Sequence, residues 1–396
     1  MFSAQSSTPP RRIYLDYAAS TPVDPRVRDA MLPYLDSETG YGNPSSVHRF
    51  GSDVRRAVDH ARDVLAETVR ADASEIYFTS GGTEADNTAL LGVLWAARGR
   101  GRDHLVTVQT EHHAVLDCAT FAENTLGFRV TYLPVAADGT VSPQAVADAV
   151  TGSTALVSVM HGNNEIGTVQ DIRAISDAVK SKNAGVYVHT DAVQTLGAMP
   201  LDVDALAVDL LTVSAHKIYG AKGAGALYVR RGVQWTPLLH GGQQEREKRA
   251  GTENAAAIIG FGKALELLPA WREPEAARLA GLRETFIAGI RARLPDTRFN
   301  GASDSAKRLP HIANLSFPGA DGETLLLSLD IRGIAVSSGS ACASGSIDPS
   351  HVLLALGVGE GVARSSVRFS WGRGVGASDL PEICDAVCDC VAASRV

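Results

Sequence analysis

Short apolar runs alternate with stretches of helical period through the middle of the chain. Ile76–Thr79, His104–Val108, Ala155–Met160, Val186–His189, Leu210–Val213 and Gly225–Val229 are each brief runs rich in apolar and β-branched residues. Such runs predict strands buried on both faces. Between several of them lie segments such as Asp171–Lys182, whose apolar positions recur at helical spacing. This βαβ rhythm predicts an α/β fold on a mainly parallel sheet, with helices on both faces. Ligands of such sheets bind outside the carboxyl ends of the strands. Polar residues collect at those ends: Gly81-Gly82-Thr83, Glu111-His112, Asn163-Asn164 and Ser214-Ala215-His216-Lys217.

The pattern changes near residue 270. Helical sequence with Glu and Arg runs over Pro274–Leu294. Strand-like Ile312–Phe317, Ile334–Ser337 and Val367–Ser370 then alternate with helical Gly322–Asp330 and Leu380–Ala392. This predicts a smaller α+β domain.

The length of 396 residues suits two domains with a sizeable core. A formal charge of −7, with no clustered basic face in view, argues against direct nucleic-acid binding. No apolar run is long enough for a membrane span; Ala255–Trp271 is interrupted by Lys263 and Glu266. Met1–Arg12 is polar and lacks the apolar segment of a secretory signal. Five cysteines, an odd number without an export signal, point to free thiols in a reducing, cytoplasmic compartment. Cys384, Cys388 and Cys390 have no following His and no second paired motif, so small core residues are expected rather than a metal site.

Candidate chemistry centres on Lys217 and Asp191. A lysine condenses with an aldehyde, and a nearby acid holds a pyridine nitrogen protonated. Pyridoxal 5'-phosphate needs that combination to act as an electron sink. Desolvation would favour the free amine of Lys217, whereas Lys222, in the turn after Gly220, is expected to be solvated. Ser80-Gly81-Gly82-Thr83 follows a strand and opens a helix, which suits a phosphate, although a glycine turn with a threonine cap fits the same string. Ser214 and His216 would add donors. His112 is read either as a ring-stacking proton shuttle or as half of a surface pair with His113. Asp191 also suits a helix cap, and Gln194 and Asn164, placed to bond a ring oxygen, also suit turns. Arg368 offers a two-pronged bond to a carboxylate or a surface salt bridge. Cys342 lies among Ser, Ala and Gly only, a segment with few packing anchors. It reads as a moving nucleophile or as a small core residue.

Together the strings resemble the cysteine desulfurases, pyridoxal-phosphate enzymes of the class-V, fold-type-I group. The motifs run from Tyr14-Leu15-Asp16-Tyr17-Ala18-Ala19-Ser20-Thr21-Pro22 through Gly42-Asn43-Pro44-Ser45-Ser46, Thr110-Glu111-His112-His113, Asn163-Asn164-Glu165-Ile166-Gly167 and Asp191-Ala192-x-Gln194. They continue with Ser214-Ala215-His216-Lys217-Ile218-Tyr219-Gly220, Arg249-Ala250-Gly251-Thr252-Glu253-Asn254 and Ser337-Ser338-Gly339-Ser340-Ala341-Cys342. The resemblance implies a large domain with a mainly parallel seven-stranded sheet and a smaller α+β domain. The expected division is an arm and small-domain segment over 1–26, a cofactor-binding domain over 27–270 and a small domain over 271–396.

It further implies conversion of L-cysteine to L-alanine, with the sulfur passing to Cys342 as a persulfide. Lys217 would be the cofactor lysine, His112 would stack on the ring and Asp191 would hold its nitrogen. Gln194 and Asn164 would contact the ring substituent. Gly82, Thr83, Ser214 and His216 would hold the phosphate. Thr252 would reach the phosphate of a partner subunit, which implies a homodimer. Arg368, with Asn164, would bind the substrate. The Cys342 loop resembles the long-loop group, the kind that serves iron–sulfur cluster assembly and nitrogenase maturation. The resemblance implies a sulfur-acceptor protein but leaves it open among iron–sulfur scaffolds, tRNA thiolation, DNA phosphorothioation and thiamine-type cofactors. No direct contact with nucleic acid or membrane is implied. Two departures stand out: Ala343 replaces a common Thr, and Gly241-Gly242-Gln243-Gln244-Glu245 replaces a three-glycine run.

Overall fold

The computed structural model describes residues 12–36, 38, 40–338 and 349–395. In chain order the first strands are β1 (Ile13–Tyr14), β2 (Ile76–Thr79), β3 (His104–Val108), β4 (Arg129–Leu133), β5 (Thr154–Ser158) and β6 (Tyr187–Asp191). They are followed by β7 (Leu210–Ser214), β8 (Gly225–Val229), β9 (Arg298–Asn300), β10 (Ile312–Ser316), β11 (Ile334–Ala335) and β12 (Ser366–Ser370).

Seven of them form one sheet in the order β2-β8-β7-β6-β5-β3-β4, as the resemblance implied. Only β8 runs against its neighbours. Every residue of β3, β5, β7 and β8 is buried. Successive side chains of a strand point to opposite faces, and the core divides accordingly. Leu105, Leu156, Leu210 and Leu227 pack into one apolar cluster. Their neighbours Val106, Val157, Leu211 and Tyr228 pack into the other.

Three strands escaped the sequence pattern, the two-residue β1 among them. β4 is an edge strand with an exposed Arg129 and no fully buried residue, so it lacks the apolar run that marks the others. β9 has only three residues. The expected strand Val186–His189 is displaced, and β6 ends on Asp191 itself.

One helix, Ala255–Arg293, spans 39 residues and contains Pro269 and Pro274. Proline inside a helix removes a hydrogen bond and crowds the preceding turn, so the sequence pattern breaks where the helix does not. Its Ala257–Leu268 stretch packs with the sheet core. Leu279–Leu294 packs instead with β10, β12 and the Leu380–Ser394 helix in a second core. There β10 lies between β12 and β9, antiparallel to both. β1 pairs with β11, so the start of the chain joins this second core. Cys388 and Cys390 are buried in it, and among the described residues no group of ligating side chains is placed to hold a metal. No described helix is long and apolar enough to cross a membrane.

Candidate active site

The carboxyl ends of β6 and β7 open onto a cavity of about 350 Å³. Ten of the residues singled out in the sequence line it: Gly82, Thr83, His112, Asn164, Asp191, Gln194, Ser214, His216, Lys217 and Arg368. Thr252 is exposed and lines a different cavity, beside Arg249 and Glu245. Cys342 and Ala343 lie outside the described residues.

Lys217 closes a short 3₁₀ turn, Ala215–Lys217, that begins where β7 ends. The turn folds tightly because Gly220 N–H reaches the Ala215 carbonyl at 3.0 Å, and a Cβ on Gly220 would stand 2.7 Å from that oxygen. The Lys217 ammonium donates to the carbonyl oxygens of Ala18 (2.5 Å) and Ala19 (2.7 Å). The N-terminal motif is thus a roof over the lysine. Thr21 fastens it, donating from N–H and Oγ1 to the His216 carbonyl and accepting from Tyr219 N–H. Gln194 adds a bond from Nε2 to Ala18 O.

Asp191 accepts from Val193 N–H at 2.8 Å. Burial pushes its carboxyl up, against the pull of that N–H and of Lys217. His112 caps the His113–Asn124 helix, its Nδ1 accepting from Ala114 N–H at 3.1 Å. That bond leaves Nε2 as the protonated nitrogen of the neutral ring. Burial, then Lys217, His113 and His351, pull its pKa down to about 4. The ring is therefore neutral at pH 7 and, lining the cavity, is no simple surface histidine.

Arg368 lies on β12 and is 2% exposed, which overturns the surface-salt-bridge alternative. It donates to Asp16 at 2.6 Å and to the Asn164 carbonyl at 3.0 Å. At the other end of the cavity, Gly82 starts the Gly82–Arg98 helix. A Cβ there would meet Val193 Cγ2 at 2.9 Å, so glycine admits the close approach. The first-turn N–H groups of a helix lack internal partners and favour an anion. The buried hydroxyl of Ser214 also has no hydrogen-bond partner among the described residues. A phosphate suits this end and a cationic ring nitrogen suits Asp191, so the donor set fits pyridoxal phosphate.

Sequence reasoning missed several members of the site. Asp86 lines the cavity and His189 is buried near it; Glu111, named at a strand end but given no role, is buried there too. Asp86 had a legible signal: Ala89 and Leu90, three and four residues on, are core residues, so the acid occupies the buried face of its helix. Asp16 gave none, since its partner Arg368 is 352 residues away. The departure at Gln243 is locally harmless, because its φ of −88° needs no glycine.

The family model described as Aminotransferase class-V matches residues 13–380. The chain is 48% identical over 370 residues to the cysteine desulfurase IscS of Dictyoglomus turgidum, covering 93% of this chain and 92% of that one. A solved NifS-like protein superposes with a TM-score of 0.89 at 34% identity, covering 96% of this chain and all (100%) of that one. SspA, solved in complex with cysteine, superposes with a TM-score of 0.78 at 35% identity, covering 91% and 98%. The chain therefore belongs to the class-V aminotransferase family. Within that family it belongs with the cysteine desulfurases.

Proposed function

We propose that the protein binds pyridoxal 5'-phosphate, converts L-cysteine to L-alanine and passes the sulfur through Cys342 to an acceptor protein. The observation that carries this reading is the convergence of Lys217, Asp191, His112 and Arg368 on one cavity. SspA, a relative solved with cysteine, supports the substrate.

Gly82, Thr83, Ser214 and His216 would hold the phosphate, and Asn164 and Gln194 the ring oxygen. Asp191 would pair with the ring nitrogen. The cofactor supplies, when bound, an electron sink for charge developing at the substrate Cα. Arg368, already oriented by Asp16 and the Asn164 carbonyl, binds the substrate carboxylate. Lys217 Nζ takes the Cα proton, and the carbonyls of Ala18 and Ala19 hold the resulting ammonium. His112 Nε2 assists as the neutral imidazole.

The Cys342 thiolate then attacks the substrate sulfur. An S–S bond forms as the C–S bond breaks, and the released electron pair ends with a proton on Cβ. Oxidation of sulfur balances reduction of carbon, so this step needs no outside oxidant. Thr252, which lines a different cavity, serves the phosphate of a second copy in a homodimer, and exposed Leu35, Tyr41, Val47 and Phe50 offer apolar surface for that association.

The test is incubation of the cofactor-loaded protein with L-cysteine and a thiol reductant, measuring alanine and sulfide, with Cys342→Ala alongside. Equimolar alanine and sulfide, both lost in the variant, are expected. Alanine formation indifferent to Cys342 would rule out the persulfide route.

A further inference from the structure

Three buried carboxyl groups stand in and beside the cavity wall, Asp86 and Asp191 lining it. Asp86 lies on the inner face of the Gly82–Arg98 helix, Asp191 ends β6, and Glu111 follows β3. Their exposures are 1%, 6% and 0%. Like charges in such a place repel strongly, and an isolated buried charge is costly in itself. The three cannot all be ionised.

Hydrogen bonds and charge together say which one is: Glu111 also accepts a backbone N–H, from Met160 at 2.7 Å, but the charge acting on it is the like charge of Asp191. Asp191 Oδ1 accepts a backbone N–H at 2.8 Å, and Lys217 acts on it with opposite charge. Asp86 has much less. The Thr212 hydroxyl is hydrogen-bonded to it, but among the described residues its Oδ1 has no hydrogen-bond partner. The nearest basic nitrogen, His189 Nε2, is 3.6 Å away. That imidazole is committed elsewhere, with Nδ1 on the Ser158 hydroxyl (2.9 Å) and Nε2 on the Thr212 hydroxyl (3.1 Å). Burial holds its pKa at about 3, so it is neutral. The Cys118 thiol, which also faces Asp86, is pushed up to about 12. Thus Asp191, Glu111, His189 and Cys118 surround Asp86, and none of them is a cation.

We infer that Asp86 is a positioning residue for Asp191: it stands beside that carboxylate as a neutral carboxylic acid, so that the pair carries one negative charge and Asp191 bears it. One carboxylate then faces one ring proton. This function rests on the proposed pairing of Asp191 with a protonated ring nitrogen. Burial, then the charge of Asp191, pushes the Asp86 carboxyl well above the usual range, in keeping with the geometry.

Two measurements on the full-length chain test the inference. The first is the melting temperature of wild type and Asp86→Asn, both stripped of cofactor, between about pH 4.5 and pH 8. A group whose folded pKa is raised contributes stability below its unfolded pKa and loses it as pH rises. Asn escapes that loss, so the gain of the variant over wild type should grow by several degrees toward pH 8. A constant difference, or one that shrinks, overturns the inference. Should Asp86→Asn fail to fold, the infrared band of protonated carboxyl groups in Glu111→Gln at about pH 8 decides. Its persistence supports a neutral Asp86, and its absence overturns it.

The second is the affinity for pyridoxal 5'-phosphate. Asp86→Asn should bind within about threefold of wild type, whereas Asp191→Asn should bind at least about tenfold more weakly. Equal losses in the two variants would place the charge on both residues and overturn the inference. Full affinity in Asp191→Asn, with the pH-dependent gain still present in Asp86→Asn, would sink the ring-nitrogen pairing and leave the charge assignment standing.

Discussion

The amine of Lys217 is held 2.5 Å from the carbonyl oxygen of Ala18, so the turn after β7 and the start of the chain meet at one nitrogen. The contact spans 199 residues and places two backbone oxygens where an ammonium would need them. Lys217→Ala should therefore fold, because it removes no apolar packing, but should lose the proton transfer. A positioned general base contributes about 10²- to 10⁴-fold. Alanine formation is expected to fall by at least that much, and the visible absorption of the bound cofactor should shift. Unchanged absorption in the variant would remove Lys217 from the cofactor.

Arg368 makes a prediction of a different kind. Its guanidinium is fixed by Asp16 and by the Asn164 carbonyl before any substrate arrives. Lysine carries the same charge but cannot make the planar fork. Losing one charge-assisted bond costs about 1.5–3 kcal/mol. Arg368→Lys should raise KM for L-cysteine about ten- to a hundredfold, with a smaller effect on kcat, in a steady-state alanine assay. Equal KM values would place the substrate carboxylate elsewhere.

These two residues also mark what the chain discloses before it folds. The sheet was legible because its central strands are buried on both faces and read as unbroken apolar runs. The polar residues that follow them converge on one cavity, as strand ends of such a sheet should. Edge strand β4 was not legible, because only one of its sides is strand-paired and its residues are half-buried at most. Nor was the unbroken helix through Pro269 and Pro274, where tertiary packing on two cores overrides a local preference. Asp16 and Ala18 were quoted within a motif but without a role, since their partners come from the far end and the middle of the chain.

The titrating interior sets a pH dependence of stability. Burial pulls the pKa values of His112, His161 and His216 down to about 4, and those of His189 and His311 down to about 3. Unfolded, each would titrate near 6.5. Between those values the unfolded chain binds protons that the folded chain refuses, so stability falls as pH drops from about 6.5 toward 4. Asp86, Glu111 and Asp191 act the other way, because their raised values make the folded state the better proton binder. Five histidines outnumber three acids, and the histidines should win. The melting temperature of the cofactor-free protein is expected to drop steadily from about pH 6.5 to pH 5. A flat profile would mean that some of these imidazoles are charged in the folded state.

Glu245 presents the clearest case of local strain with a tertiary cause. Glu245, Arg246 and Glu247 have φ values of 46°, 57° and 65°, a left-handed turn built without glycine. Such residues cost about 1–2 kcal/mol each. The turn is held by a buried pair: Arg62 donates to both carboxylate oxygens of Glu245 at 2.7 and 2.8 Å, and Phe78 N–H adds a third bond at 2.9 Å. Removing one partner strands the other charge in the interior, which typically costs about 3–5 kcal/mol. Glu245→Ala should therefore lower the unfolding free energy by that amount, read as a lower denaturant midpoint at unchanged slope. Replacing both partners, as in Arg62→Met with Glu245→Leu, should recover most of the loss, because no buried charge is then left unpaired. The same turn leads into Arg249, which pairs with Glu84 at 2.8 Å, and on to Thr252. If the turn also sets how Thr252 is presented, the double variant should regain stability yet keep a weakened affinity for pyridoxal 5'-phosphate. A double variant with wild-type affinity would limit the pair to a structural role.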